Sequence, residues 1–263
     1  MRPTAPATES LPSSPEYDPL SIGEDLVPIR LAKAAGQTSL DFSGLLHPPL
    51  LLHEDLKEGC GGQLWPAGMV LAKYILKNLD LVRGKVILEL GAGGGLVGLA
   101  VAIALRSSKE MLGSGLSPPV MITDLPVLLP LQQKNIEINQ LPTTSIISCE
   151  LSWGPSLPSS LPELYHTPEV VLAADCVYFE PAFPMLLETL SNLLEAPSGK
   201  SDGEIGAARM DPVCFFCMKK RRKADMRFIA TLKKKFTVHD IDARQEIDEE
   251  GGGIFLYRVS RRG

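Results

Sequence analysis

The sequence predicts an α/β domain in which seven strands form one sheet with helices on both faces. Three observations point there. From residue 85 onward, short apolar runs rich in β-branched residues alternate with stretches of helical periodicity. One of those runs passes through a cluster of glycines directly into a helix. A 263-residue chain that is 44% hydrophobic also has enough apolar surface to cover both faces of such a sheet.

Strands are expected at 85–90, 120–123, 145–149, 170–174, 213–218, 236–241 and 254–259. The run 170–174, Val-Val-Leu-Ala-Ala, is apolar throughout and reads as a strand buried on both faces. Helices are expected at 96–106, 127–139, 184–194 and 224–234. Gly/Ser-rich loops should interrupt this rhythm at 107–118 and 197–211, and 246–250 reads as an acidic hairpin loop between the last two strands. Upstream, 1–22 is rich in Pro, Ser, Thr and Glu and has too little to bury to offset its ordering entropy, so a disordered tail is expected. Residues 23–62 carry short apolar runs such as Val27 to Leu31, expected as a strand extension packed on the core, with the main domain over 63–263.

A net charge of −5, from 26 basic and 31 acidic residues, draws the chain toward neither nucleic acid nor an anionic membrane. An odd count of five cysteines and an opening Met-Arg-Pro-Thr without an apolar core imply a reducing, cytoplasmic setting. The longest apolar stretch, around Val97 to Leu105, is far shorter than the roughly 20 residues that span a bilayer. The expected state is a monomer.

The most informative segment is Val86-Ile87-Leu88-Glu89-Leu90-Gly91-Ala92-Gly93-Gly94-Gly95-Leu96-Val97-Gly98. Gly93, Gly95 and Gly98 satisfy the G-x-G-x-x-G pattern of a dinucleotide site, but that frame is late relative to the strand. The frame Glu-Leu-Gly-Ala-Gly instead puts the Glu89 carboxylate at the strand end. There it would repel a pyrophosphate and favour a ligand carrying an ammonium and a sulfonium. S-adenosylmethionine has both cations and no phosphate. A ribose would need an acidic partner at the end of the next strand, where Asp124 stands; the plainer reading of Asp124 is a cap on the following helix.

Five motifs occur in order: Leu64-Trp65-Pro66-Ala67-Gly68, Glu89-Leu90-Gly91-Ala92-Gly93, Thr123-Asp124-Leu125, Leu151-Ser152-Trp153-Gly154 and Ala174-Asp175-Cys176-Val177-Tyr178. Over about residues 61–258 the chain resembles the seven-β-strand protein-lysine N-methyltransferases of methyltransferase-like group 16. Within that group, the run Lys219-Lys220-Arg221-Arg222-Lys223-Ala224-Asp225 looks most like the fungal branch that methylates translation elongation factor 1-alpha. The resemblance implies a Rossmann-like class I methyltransferase sheet, S-adenosylmethionine as cofactor and a protein substrate, with elongation factor 1-alpha first in line. It carries cofactor contacts to Trp65, Gly91, Ala92, Gly93, Asp124, Trp153 and Ala174. These fit physically, because indole faces attract a sulfonium and cover an adenine, and the chain has only two tryptophans. Taken singly, each tryptophan reads first as a packing residue.

The strand 170–174 should deliver Asp175 to the ligand-bearing edge, where the family's Asp-x-x-Tyr motif places Asp175 and Tyr178 at the substrate. Free lysine, with pKa about 10.4, is almost wholly protonated at neutral pH, while methyl transfer requires the neutral amine. An aromatic channel walled by Tyr178, with Asp175 orienting the amine, meets that need. The plainer readings are a helix cap for Asp175 and packing for Tyr178.

Other features read more simply. Cys214 and Cys217 form a C-x-x-C on a strand, which points the two sulfurs to opposite faces, and the four histidines show no ligand spacing, so no metal is expected. The basic run 219–223 reads first as a solvated helix face and second as a docking surface for an acidic partner. Besides a lysine methyltransferase acting on elongation factor 1-alpha or on another protein such as a chaperone or AAA ATPase, two further classes remain. One is a nicotinamide-dependent oxidoreductase and the other a catalytically silent binding module.

Overall fold

The computed structural model describes residues 35–55, 60–112, 118–195, 211–247 and 252–262. The tail expected over 1–22, the run Val27 to Leu31 and most of the 197–211 loop lie outside the described residues. In chain order, an antiparallel hairpin of β1 (Gly36–Leu40) and β2 (Leu50–Glu54) precedes α1 (Pro66–Lys77). Then come β3 (Ile87–Leu90), α2 (Leu96–Leu112), β4 (Val120–Asp124), α3 (Leu129–Ile138), β5 (Ile146–Glu150) and β6 (Val170–Ala174). The chain ends with α4 (Phe183–Leu193), β7 (Val213–Lys219), α5 (Lys223–Lys235), β8 (Thr237–Ile241), α6 (Arg244–Ile247) and β9 (Ile254–Ser260).

Strands β3 to β9 form the seven-stranded sheet, in the order β5-β4-β3-β6-β7-β9-β8. The first five in that order are parallel. The sheet is nevertheless mixed, because β8 turns back into β9, which inserts antiparallel between β7 and β8. Side-chain alternation divides the core in two. Ile87, Val170, Leu172 and Phe215 pack with α1 and α2 on one face, while Leu88, Val171, Ala173 and Phe216 pack with α4 and α5 on the other. Both faces of the central strands are thereby dry, which is why β6 is apolar at every position. Cys214 and Cys217 fall in opposite halves of the core.

Two segments differ from the sequence reading. Helix α2 runs six residues beyond the expected end at Arg106, to Leu112. The serines of its polar end, Ser107 and Ser108, sit within the helix, their hydroxyls turned back to donate to the carbonyls of Ile103 and Ala104, one turn earlier, and so not competing for other backbone groups. The acidic 246–250 segment is not loop throughout, since α6 ends in it. There Glu246, only 6% exposed, accepts from Lys77 Nζ of α1 at 2.7 Å. That contact lies far away in sequence and leaves no local periodicity.

The hairpin docks through side chains acting as a strand. Asn135 on α3 and Asn139 at its C-cap, one turn apart, accept from the backbone N–H groups of His53 (2.8 Å) and Leu51 (2.9 Å). They donate back to the same residues' carbonyls. The outer edge of β2, which would otherwise be unpaired, is satisfied in this way.

Candidate active site

The strand order reverses between β3 and β6, and a crevice opens beyond the carboxyl ends of strands at such a point. One cleft there encloses about 920 Å³ of empty space, open solvent at its mouth included. It is lined by every expected site residue: Trp65, Glu89, Gly91, Ala92, Gly93, Asp124, Trp153, Ala174, Asp175 and Tyr178.

The floor is the turn from β3 into α2. Gly91, Gly93 and Gly95 all have positive φ, and a Cβ on Gly93 would stand 2.5 Å from the Gly61 carbonyl oxygen. The turn is held from below by α3, where Gln132 donates to the Gly93 carbonyl (3.0 Å) and Asn135 to that of Gly94 (2.9 Å). Both side chains are fully buried. A Cβ on Gly91 would reach 3.0 Å from both the Trp153 ring and the Cys176 sulfur, so glycine keeps the space between them open.

Asp124 accepts from Gly93 N (2.7 Å) and Leu125 N (2.7 Å), and burial raises its pKa against the pull of those two amides. The next helical turn, Pro126–Leu128, has no side-chain cap, so capping is not what this carboxyl does. Glu89 lies deeper, 2% exposed, and accepts from Gly98 N at 2.7 Å in the first turn of α2. Burial pushes its carboxyl up to about 8, opposed by the Gly98 and Val97 amides and reinforced by Asp124. A Cβ on Gly98 would overlap Ile122 and this carboxyl, so Gly98 serves helix-on-strand packing.

These contacts weigh against the dinucleotide frame. Glu89 takes amides at the start of α2, and Asp124 takes the Gly93 amide that a pyrophosphate would need.

Trp65 precedes α1, whose first residue is Pro66; the approach is pinned by Leu64 N, which donates to Glu54 Oε2 at 3.1 Å. On the opposite wall Asp175 follows β6 at φ +58°, and its N–H donates to the Cys217 carbonyl (2.8 Å). Its carboxylate caps no helix, since neither the Glu180–Ala182 turn nor α4 has a side-chain cap. It is gripped by Arg221 instead: Nη1 donates to Oδ1 at 2.9 Å and Nη2 to Oδ2 at 2.7 Å, while Lys219 N donates to Oδ1 at 3.1 Å. The Arg221 guanidinium carbon lies 5.2 Å from the Trp65 ring centroid. Tyr178, 36% exposed, stands at the rim.

Arg221 is the residue the sequence reading missed. The run 219–223 is not one solvated helix face, because it crosses from the end of β7 into α5 and turns Arg221 inward. Asp225 fixes that crossing by accepting from both Arg221 N and Arg222 N at 2.8 Å. The available signal was position: a cation directly after a strand whose neighbour ends in Asp175.

A cleft with aromatic walls and buried carboxyls, at the switch point of a seven-stranded sheet with one inserted antiparallel strand, is the kind of site that the resemblance to S-adenosylmethionine-dependent methyltransferases implies. The chain belongs to the lysine methyltransferase family, whose sequence profile matches residues 46–235. The Saccharomyces cerevisiae protein-lysine N-methyltransferase EFM6 is 38% identical over 82% of this chain and 87% of its own. The Mus musculus protein N-lysine methyltransferase METTL21A is 29% identical over 78% and 79% respectively. The Mus musculus EEF1A lysine methyltransferase 3 is 39% identical over 51% of each chain. The protein is accordingly a protein-lysine methyltransferase that uses S-adenosylmethionine.

Glu89 gives a pH prediction for the ligand-free protein. A carboxyl whose folded pKa is raised to about 8 stabilises the fold below its ordinary value of 4.5 and withdraws that stability as pH rises toward 8. Glu89→Gln removes the titration. From pH 5 to 8 the wild type should therefore lose stability relative to the variant, by at most about 1.4 kcal/mol per pH unit. Thermal unfolding of both proteins across that range checks this, and parallel curves would contradict it.

Proposed function

We propose that the protein methylates a lysine of translation elongation factor 1-alpha in the cytoplasm, acting as a monomer. The substrate assignment is supported by EEF1A lysine methyltransferase 3, whose name states that activity for the relative. The compartment is supported by the cysteines, since Cys149, Cys176, Cys214 and Cys217 are all free thiols. Among the described residues no helix is long and apolar enough to cross a membrane.

The observation that carries the reading of the site is that the glycine turn after β3 and Asp175 after β6 open into one cleft. When bound, S-adenosylmethionine supplies an electrophilic methyl group on a sulfonium. Gly91, Ala92, Gly93, Trp153 and Ala174 would hold its adenosyl part, and Asp124 its ribose hydroxyls. Trp65 would meet the cofactor from the start of α1, on the side where its ring faces Arg221, and Glu89 acts from beneath by fixing α2. Asp175 and Tyr178 receive the acceptor lysine: the Tyr178 ring walls its approach, and the Asp175 carboxylate orients its amine. The amine arrives neutral, having left its proton to water. Its lone pair forms the new N–C bond as the S–CH3 bond breaks and that electron pair returns to sulfur, so it departs as a methylammonium and an uncharged thioether is left behind.

Purified elongation factor 1-alpha incubated with methyl-labelled S-adenosylmethionine should take up label on a lysine, located by mass spectrometry. Elongation factor left unlabelled while a chaperone or AAA ATPase in a cell extract is labelled would overturn the substrate assignment.

A further inference from the structure

We propose that Arg221 sets the charge at the acceptor end of the cleft. By taking both oxygens of Asp175 it leaves no net negative charge beside the reacting amine, which is therefore held there as a neutral nucleophile. This rests on the reading that the acceptor lysine enters between Asp175 and Tyr178.

The geometry is that of a fixed pair. The Arg221 and Asp175 side chains are 15% and 4% exposed, and their contact is a two-pronged fork. Each partner is also held through its backbone, Asp175 by the Cys217 carbonyl and Arg221 by Asp225 Oδ2. Arg221 Nη1 donates further to the Lys219 carbonyl at 3.2 Å, and the guanidinium faces the Trp65 ring. The ends of β6 and β7 and the start of α1 thus converge on one cation.

A bare, buried carboxylate at this point would hold an incoming lysine as ammonium, raising its pKa by about 1 to 3 units, the wrong direction for a nucleophile. A closed ion pair exerts no such pull. Arginine suits the task because its guanidinium stays charged throughout the working pH range.

The surrounding groups do not duplicate it. After β6 come Cys176, whose thiol burial keeps protonated, and Tyr178 at the rim. On β7, Cys217 is likewise raised by burial, and Lys219 meets Asp175 through its backbone amide. Arg222 is spent on Asp225 and on the Tyr178 carbonyl. Glu89 and Asp124 belong to the glycine-turn side of the cleft. The start of α1 contributes an uncharged indole.

Two readouts test this, and one needs no protein substrate. Arg221→Gln should favour cationic S-adenosylmethionine over its uncharged thioether product, shifting the ratio of their calorimetric Kd values several-fold. In methyl transfer, the acidic limb of the kcat profile, which reports groups in the enzyme–substrate complex, should move up by about one pH unit or more. The double variant Arg221→Gln with Asp175→Asn removes both charges and should return the ratio and the limb toward wild type. A merely structural role for Arg221 predicts no such return. Arg221→Lys, which keeps the charge and loses the fork, should hold both quantities near wild type. An unmoved ratio and limb in Arg221→Gln, or a double variant that keeps the single variant's shift, overturns the proposal. Should Arg221→Gln fail to fold, a ratio or limb in Arg221→Lys displaced as far as predicted for the glutamine variant overturns it. If the wild type methylates no protein, the acceptor reading fails separately, and the cofactor ratio still decides the role of Arg221.

Discussion

Replacing Gly93 by Ala should lower stability by about 2 to 4 kcal/mol and weaken S-adenosylmethionine binding at least about tenfold. Two effects add. At φ +56° an L side chain is in the left-handed region, which costs about 1 to 2 kcal/mol. The new methyl would also stand 2.5 Å from the Gly61 carbonyl oxygen, a backbone atom that cannot rotate away. The turn is tied on both sides, by Asp124 on the Gly93 N–H and Gln132 on its carbonyl, so relieving the clash displaces the carboxyl assigned to the ribose. Gly84→Ala is the matched control. Gly84 also has positive φ, +73°, but a Cβ there meets nothing within 4 Å. It should show the backbone cost alone and bind cofactor normally. Melting curves and calorimetry on both variants separate strain from close approach; equal losses in the two would show that the 60–62 segment does not matter.

The contrast between these glycines marks what a sequence can reveal. The β3 turn was legible because its requirements are local: an apolar strand, glycines where φ must be positive, a helix after them. The same holds for β6, whose run of five apolar residues can lie only between two packed layers. The end of helix α2 is not legible because its last turns are polar, and its serines, which back-bond within the helix, look like loop composition.

Contacts between distant segments left no such trace. Asn135 and Asn139 look like ordinary polar positions on α3 and at its end until β2 is laid beside them, 82 and 88 residues away in sequence. Arg221 sits in a run of five basic residues, and nothing local distinguishes it from its neighbours. Only the pairing of β6 with β7, which sets Ala174 beside Cys217, brings the two strand ends together and makes Arg221 the partner of Asp175.

Asp175→Asn should therefore act on chemistry more than on folding. Asparagine tolerates φ +58° as readily as aspartate, and its Oδ1 can keep the hydrogen bond from Lys219 N. The amide's NH₂, however, faces a guanidinium that only donates, so the second prong of the fork is lost and Arg221 is held through Oδ1 alone, its charge no longer balanced. The glycine turn and Asp124 are untouched, so most cofactor affinity should remain. The methylation rate at neutral pH should fall by roughly tenfold or more, as expected when a well-placed polar contact in a preorganised site is removed. Tyr178→Phe should do less, because the aromatic wall survives. The kcat profile adds a direction. With the carboxylate gone and the cation left, the amine loses a proton more readily, so the acidic limb should move to lower pH, opposite to Arg221→Gln. Full turnover by a folded Asp175→Asn would refute the orienting role. A limb that moves the same way in both variants would show that the pair acts through structure and not through charge.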